Sequence, residues 1–141
     1  MKAIVRIRGM VDVERDVAET FQRLNLLRKY ACVVLVNPAK EQLGMLKKVK
    51  DFVAFGDIDD KTFTELIEKR GQLIDKSGNI NAKKMVEELK KGKKYKELNL
   101  KPFFRLHPPR KGIGTKLHFG IKNGVLGDNK EKINDLIGRM L

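Results

Sequence analysis

Few side chains in this sequence are equipped for covalent chemistry. Cys32 is its only cysteine, Ser77 its only serine, and His107 and His118 its only histidines. Cys32 opens the run CVVLV, residues 32–36, where a thiol acts as a small core hydrophobe rather than a nucleophile. Zinc takes three or four soft donors, so two histidines lead us to expect no metal and no cofactor. Asp57, Asp59 and Asp60 could hold a hard cation or serve as paired acids, or simply cap the helix that follows. The sequence has no G-x-x-x-x-G-K-[ST] phosphate loop, no G-x-G-x-x-G fingerprint and no G-x-S-x-G elbow. These absences indicate a protein that is not an enzyme.

Cations are abundant. The formal net charge is +13 and the pI about 9.9, beyond the magnitude of about 2–8 that solubility asks of a small domain. Such self-repulsion points to a polyanion that neutralises it. Residues 83–116 hold twelve Lys or Arg against three Glu, whereas residues 51–68 hold six acids against one Lys. The molecule should therefore have a basic side that faces its partner and an acidic side turned away. No apolar run approaches the ~18 residues of a spanning helix, and MKAIVRIRG lacks the form of a secretory signal. A lone cysteine fits a reducing cytoplasm, which leaves RNA rather than a membrane as the expected partner.

The elements that would carry these cations follow from apolar spacing. In the first strand, residues 2–8, Ala3, Val5 and Ile7 share one face, while Lys2, Arg6 and Arg8 share the other with Ile4. The sheet should then have one packed side and one basic side or end. Val17, Phe21 and Leu24 mark an amphipathic helix ending near Leu27, with Asp16 and Glu19 as its capping box. Residues 32–36 read as a central strand, and Asn37-Pro38 opens a second helix lined by Leu43, Leu46 and Val49. With a short strand at residues 52–55, the order β-α-β-α-β predicts an α/β (α+β) core, both helices packed on one face of a three-stranded sheet.

Residues 58–100 read as a helical insert, with Phe63, Leu66 and Ile67 on one helix and Met85, Val86 and Leu89 on another, joined by a turn within residues 71–79. The run KKGKKYK, residues 90–96, is either a solvated helix end or an RNA contact. Residues 101–141 form a basic extension: an extended PFFRLH, a proline-bounded loop, a strand in KLHFGI and a closing helix capped by Asp128 and Glu131. The expected boundaries, 1–57, 58–100 and 101–141, describe parts of one compact unit.

The expected RNA contacts are Arg6, Arg8, Arg28, Lys29, Lys47, Lys48 and Lys50 on the core, and Arg105, His107, Arg110, Lys111 and Lys116 on the extension. Arginine can fork two hydrogen bonds onto a phosphate and lysine supplies a mobile charge. In HPPRKGIG, residues 107–114, prolines stiffen the approach and glycines let backbone N–H groups near phosphate oxygens. His107 could stack on an unpaired base or act only as a turn residue. No RRM, KH or zinc-finger signature is present.

RLNLLRKYACVVLV (23–36), LGMLKKVKDFVAFGD (43–57), FRLHPPRKG (104–112) and NKEKINDLIGRML (129–141) together resemble the archaeal form of large-subunit ribosomal protein thirty. The four stretches share its order and spacing across almost the whole chain, and Lys111 departs from the pattern where glycine is expected. The resemblance implies a core seated on large-subunit (23S) rRNA among neighbouring large-subunit proteins, with no self-association, and an extension that adds RNA contacts, 5S rRNA being a candidate. A free RNA chaperone or regulator, and a small enzyme or ligand-sensing domain on a similar scaffold, are the rival readings.

Overall fold

The apolar runs form strands. In the computed structural model, which describes residues 1–75 and 78–141, β1 (Lys2–Arg6) lies between β2 (Ala31–Leu35) and β3 (Val53–Asp57) and is antiparallel to both. Ser77 and part of the turn expected within residues 71–79 lie outside the described residues. Helices α1 (Arg15–Arg23) and α2 (Lys40–Val49) connect these strands and share one face of the sheet, as the β-α-β-α-β order predicts. Val17, Phe21, Leu24, Leu46 and Val49 pack there on Ile4, Val33 and Val53.

The sheet grows to six strands, in the order β4-β2-β1-β3-β6-β5. β4 (Phe104–Arg105) pairs antiparallel with the start of β2, β6 (Gly124–Asp128) lies parallel to β3, and β5 (Thr115–His118) lies parallel to β6. The second face is covered by α3 (Asp60–Arg70), α4 (Ala82–Lys90) and α5 (Ile133–Met140), entered through a 3₁₀ turn at Lys130–Lys132. Phe63, Leu66, Val86, Leu89, Ile133 and Ile137 meet Ala3, Val5, Ile7, Cys32 and Val34 in the larger core. Both faces are therefore buried, which corrects the expectation of a basic face on the sheet and leaves its basic end.

Helix starts also differ from expectation. α1 starts at Arg15 with Glu14 at its N-cap and no side-chain cap bond, so Asp16 falls within the first turn, where its carboxylate meets Lys48 on α2 at 3.3 Å. α2 begins at Lys40, not Pro38, and Gln42 Oε1 accepts from the Ala39 N–H at 3.0 Å. Asp128 accepts from Lys130 N–H at 2.9 Å, a local turn two residues long that precedes the 3₁₀ entry to α5.

Tyr95 anchors the lysine run 90–96. Its hydroxyl donates to the Val34 carbonyl at 2.7 Å, on the stretch of β2 beyond its pairing with β4 at residues 31 and 32. Burial raises the phenol's pKa above its ordinary value, with the nearby Cys32 adding to the effect. Burial likewise pushes the Cys32 thiol up to about 12, so it stays protonated and inert at neutral pH.

β3 and the β6–α5 connection touch at Gly56. A Cβ built there would lie 2.1 Å from the Lys130 carbonyl oxygen and 3.0 Å from two carbons of Ile133. Backbone cannot yield as a flexible side chain can, so Gly56→Ala should destabilise the fold by about 1–3 kcal/mol, the usual range for overpacking. A urea titration that leaves the unfolding midpoint of this variant unchanged would show that the two segments separate freely.

Candidate nucleic-acid interface

Strand register sorts the charges between the two ends of the sheet. Lys2 stands opposite Leu35 on β2 and Asp57 on β3, whereas Arg6 stands opposite Val53 and Val5 opposite Cys32. The C-terminal end of β1 thus coincides with the N-terminal ends of β2 and β3. Arg105 pairs with Ala31, so β4 leaves the sheet at that same end. Every connection there carries cations: Arg8 follows β1, Arg28 and Lys29 precede β2, Lys50 precedes β3, and His107, Arg110 and Lys111 follow β4. Lys47 and Lys48 occupy the last turn of α2, which runs into the same end. The Arg8 guanidinium donates to the Lys116 carbonyl at 3.0 Å and draws Lys116 in.

Asp57, Asp59 and Asp60 lie at or beyond the far end of β3. Acids also occur near the basic end: His118 Nε2 meets Asp51 at 2.9 Å, Lys48 pairs with Asp16 at 3.3 Å, and Asp12 and Glu14 lie in the connection after β1. No carboxylate side chain occurs between residues 98 and 127. The aspartates next to α3 are turned from the basic end, and Asp60 pairs with Lys90. Among the described residues, no group of three His, Cys, Asp or Glu could hold a metal, and no helix is long and apolar enough to cross a membrane.

Eleven of the twelve expected contacts are exposed at this end; Arg6 is not. Its residue is 1% exposed. Nε donates to the Arg8 carbonyl at 3.0 Å, one terminal nitrogen to Leu26 and Leu27 at 2.6 and 3.1 Å, and the other to Gly9 at 3.1 Å. The guanidinium carbon lies 4.1 Å from the centroid of the Phe21 ring. Burial lowers its pKa, but a guanidinium keeps its charge in proteins. Arg6 is thus withdrawn from the surface, because α1 covers the face that alternation assigns it. Its role is to hold the loop after β1 to the turn before β2, so that Arg8, Arg28 and Lys29 are presented together. The signal available in the sequence was the companionship of Arg6 and Ile4 on one face.

The proline loop is equally fixed. Pro109 is buried, His107 N–H donates to the Met140 carbonyl at 3.0 Å, and Arg110 N–H donates to Arg139 at 2.9 Å. Gly112 N–H closes a turn onto Pro109 at 3.0 Å, and Arg139 adds a side-chain bond to Gly112 at 3.2 Å. The His107 and Arg110 side chains stay exposed on an immobilised backbone. Lys91, Lys94 and Lys96 of the other basic run are also exposed, while Lys93 pairs with Glu88 at 3.3 Å.

Known proteins resemble this chain along almost its whole length. The family profile described as "Ribosomal protein L30p/L7e" matches residues 2–53. Large ribosomal subunit protein uL30 of Nanoarchaeum equitans is 41% identical, over 99% of this chain and 97% of its own. The proteins of the same name from Methanococcus maripaludis and Archaeoglobus fulgidus are each 40% identical, again over 99% of this chain and 98% and 99% of theirs. The chain belongs to the uL30 family.

The expected departure from the uL30 pattern, Lys111, has a conformational cost. Lys111 is the third residue of the Pro109–Gly112 turn and has φ +64, a region glycine enters freely and other residues enter at about 1–2 kcal/mol. Against glycine's own entropic loss of about 0.5–1 kcal/mol, Lys111→Gly should raise stability by about 0.5–1 kcal/mol. An unfolding midpoint that falls instead would mean the lysine side chain contributes to the loop's hold.

Replacing Arg6 separates structure from contact. Arg6→Lys keeps the charge but loses the fork, leaving buried carbonyls without donors, so unfolding free energy should drop by about 2–4 kcal/mol. If Arg6 touched phosphate instead, stability would hold and only RNA affinity would suffer.

Proposed function

We propose that this chain is a structural constituent of the large ribosomal subunit that binds and organises rRNA by neutralising phosphates. It supports translation without catalysing a step, and works in the cytoplasm as part of the ribosome. 23S rRNA is the principal ligand and 5S rRNA a second candidate, with neighbouring large-subunit proteins completing the surroundings. The observation that carries this reading is the gathering of eleven exposed basic or histidine side chains at one end of the sheet, with the Asp57–Asp60 acids at the other. The names of the uL30 relatives support the same assignment.

The mechanism is electrostatic and architectural. Loops tied by Arg6 and by the end of α5 present arginines and lysines in a fixed layout, so little entropy is lost when phosphates converge on them. Each neutralised phosphate releases a condensed counterion, which is why affinity must depend steeply on salt. Asp57 and Asp60 at the far end pair with Lys2 and Lys90, so that end offers phosphates fewer free cations and the basic end is the favoured docking side. The protein fixes the relative positions of the RNA segments that meet on this surface.

Purified protein should bind rRNA fragments with affinity falling roughly 10³–10⁵-fold between 50 and 200 mM salt if about 6–10 phosphates are engaged, by the duplex-DNA rule. Arg110→Ala, on the pinned loop, should weaken binding about tenfold, the worth of one charge-assisted hydrogen bond, whereas Lys94→Ala should change it less than about twofold. Equal effects of the two would remove the loop's distinction. In cell extracts the protein should travel with the large subunit on a sucrose gradient at moderate salt; sedimentation at the top would identify a free regulator.

A further inference from the structure

The turn before β2 displays a leucine where a solvated loop would not. Leu27 is 63% exposed, yet its carbonyl and that of Leu26 are held by the buried Arg6 guanidinium. Two left-handed residues bracket it, Asn25 at φ +58 and Tyr30 at φ +66. For a bulky aromatic such as Tyr30 this conformation is strained, and strain of this kind gathers at ligand clamps. It is locked by two backbone bonds: Tyr30 N–H donates to Arg6 at 2.7 Å, and Tyr30 accepts from Leu106 N–H at 3.1 Å.

Across from this turn, Phe103 and Arg105 stand two residues apart, on the same side of the β4 segment. Phe103 packs with the α1–α2 core, Phe104 faces the opposite core, and the Arg105 guanidinium carbon lies 5.8 Å from the Phe103 ring centroid. Asn25, Leu27, Arg28, Ala31, Phe103 and Arg105 line one narrow, mainly apolar cleft. The Asn25 side chain has no protein hydrogen-bond partner among the described residues. An apolar slot with an aromatic wall, two arginines and a free carboxamide combines what a flat, polar-edged ring attached to a phosphate requires.

We infer that this cleft takes a single unstacked nucleobase, held between Leu27 and the Phe103–Arg105 pair, while Arg28 and Arg105 meet its flanking phosphates. The proposal rests on the RNA-binding reading above and adds to it: the basic end would engage an unpaired nucleotide, not phosphates alone. The absence of carboxylates between residues 98 and 127, with Arg28 and Arg105 at the mouth of the cleft, favours an anionic nucleic-acid occupant. Rigidity matters as well. With the turn already ordered by Arg6, a base entering the slot would lose only its own freedom.

The test uses the full chain and three probes of equal phosphate count: a single-stranded oligonucleotide of about ten nucleotides, the same strand built from abasic tetrahydrofuran units, and a duplex. At fixed salt, the base-bearing strand should bind about tenfold more tightly than the abasic one, the scale of one stacked base. Leu27→Ser, at an exposed position, should abolish that preference while leaving the thermal midpoint and the salt slope unchanged. Arg105→Lys, which keeps charge but loses the plane, should reduce it in part. Equal affinity of the wild-type protein for base-bearing and abasic strands would overturn the proposal, as would a full preference retained by Leu27→Ser. Absence of salt-dependent binding to any of the three would instead bring down the RNA-binding reading itself.

Discussion

One buried guanidinium decides how the basic end is built. Arg6 closes β1, faces the ring of Phe21, and gives its N–H groups to carbonyls in two separate loops. Those carbonyls have no strand or helix to serve, and without a donor each would lie near the protein interior unpaired, at about 1–3 kcal/mol apiece. Arginine is suited to the task because its donors are rigid and widely spread; lysine would bring three donors from one point. A positive charge is thus kept inside a molecule already rich in positive charge. It is tolerated because carbonyl dipoles and an aromatic face surround it.

From that tie the arrangement of the surface follows. With both sheet faces covered by helices, the cations can collect only at the ends and on outer helix surfaces. Antiparallel pairing of β1 with both neighbours brings the turn before β2 and the turn before β3 to where β1 ends. β4 adds its exit to the same place, and α5 clamps the proline loop by backbone bonds at His107 and Arg110. The asymmetry of charge along the sequence thereby becomes an asymmetry in space, with Asp57, Asp59 and Asp60 left at the opposite end of β3.

Much of this was legible from residue types. The run at residues 32–36 and the Val17, Phe21, Leu24 stripe announced the central strand and the first helix, because burial in each leaves a periodic trace. The clustered cations announced a polyanionic partner. What escaped was decided by long-range packing. Alternation put Arg6 beside Ile4, but only the seating of α1 shows that this face is closed. Asp16 has the residue type of a cap, but α1 starts one residue earlier, and its carboxylate meets Lys48, thirty-two residues away. β6 was missed because GVLGD, bounded by glycine and aspartate, carries a weak strand preference and is a strand only because β3 offers it an edge. Leu27 gave no sign of its exposure, since an apolar residue between Leu26 and Arg28 reads as core.

The parallel pairing of β6 with β3 also has a temporal consequence. About sixty-six residues separate the end of β3 from the start of β6. At a synthesis rate of roughly 5–20 residues per second, the outer edge of β3 waits several seconds for its partner. Throughout that interval the apolar surface later covered by α5 has nothing from the C-terminal segment to shield it. A nascent chain with this topology completes its hydrophobic interior only when the final helix has emerged, so early arrest or truncation near residue 124 would leave a sticky, half-built sheet prone to association.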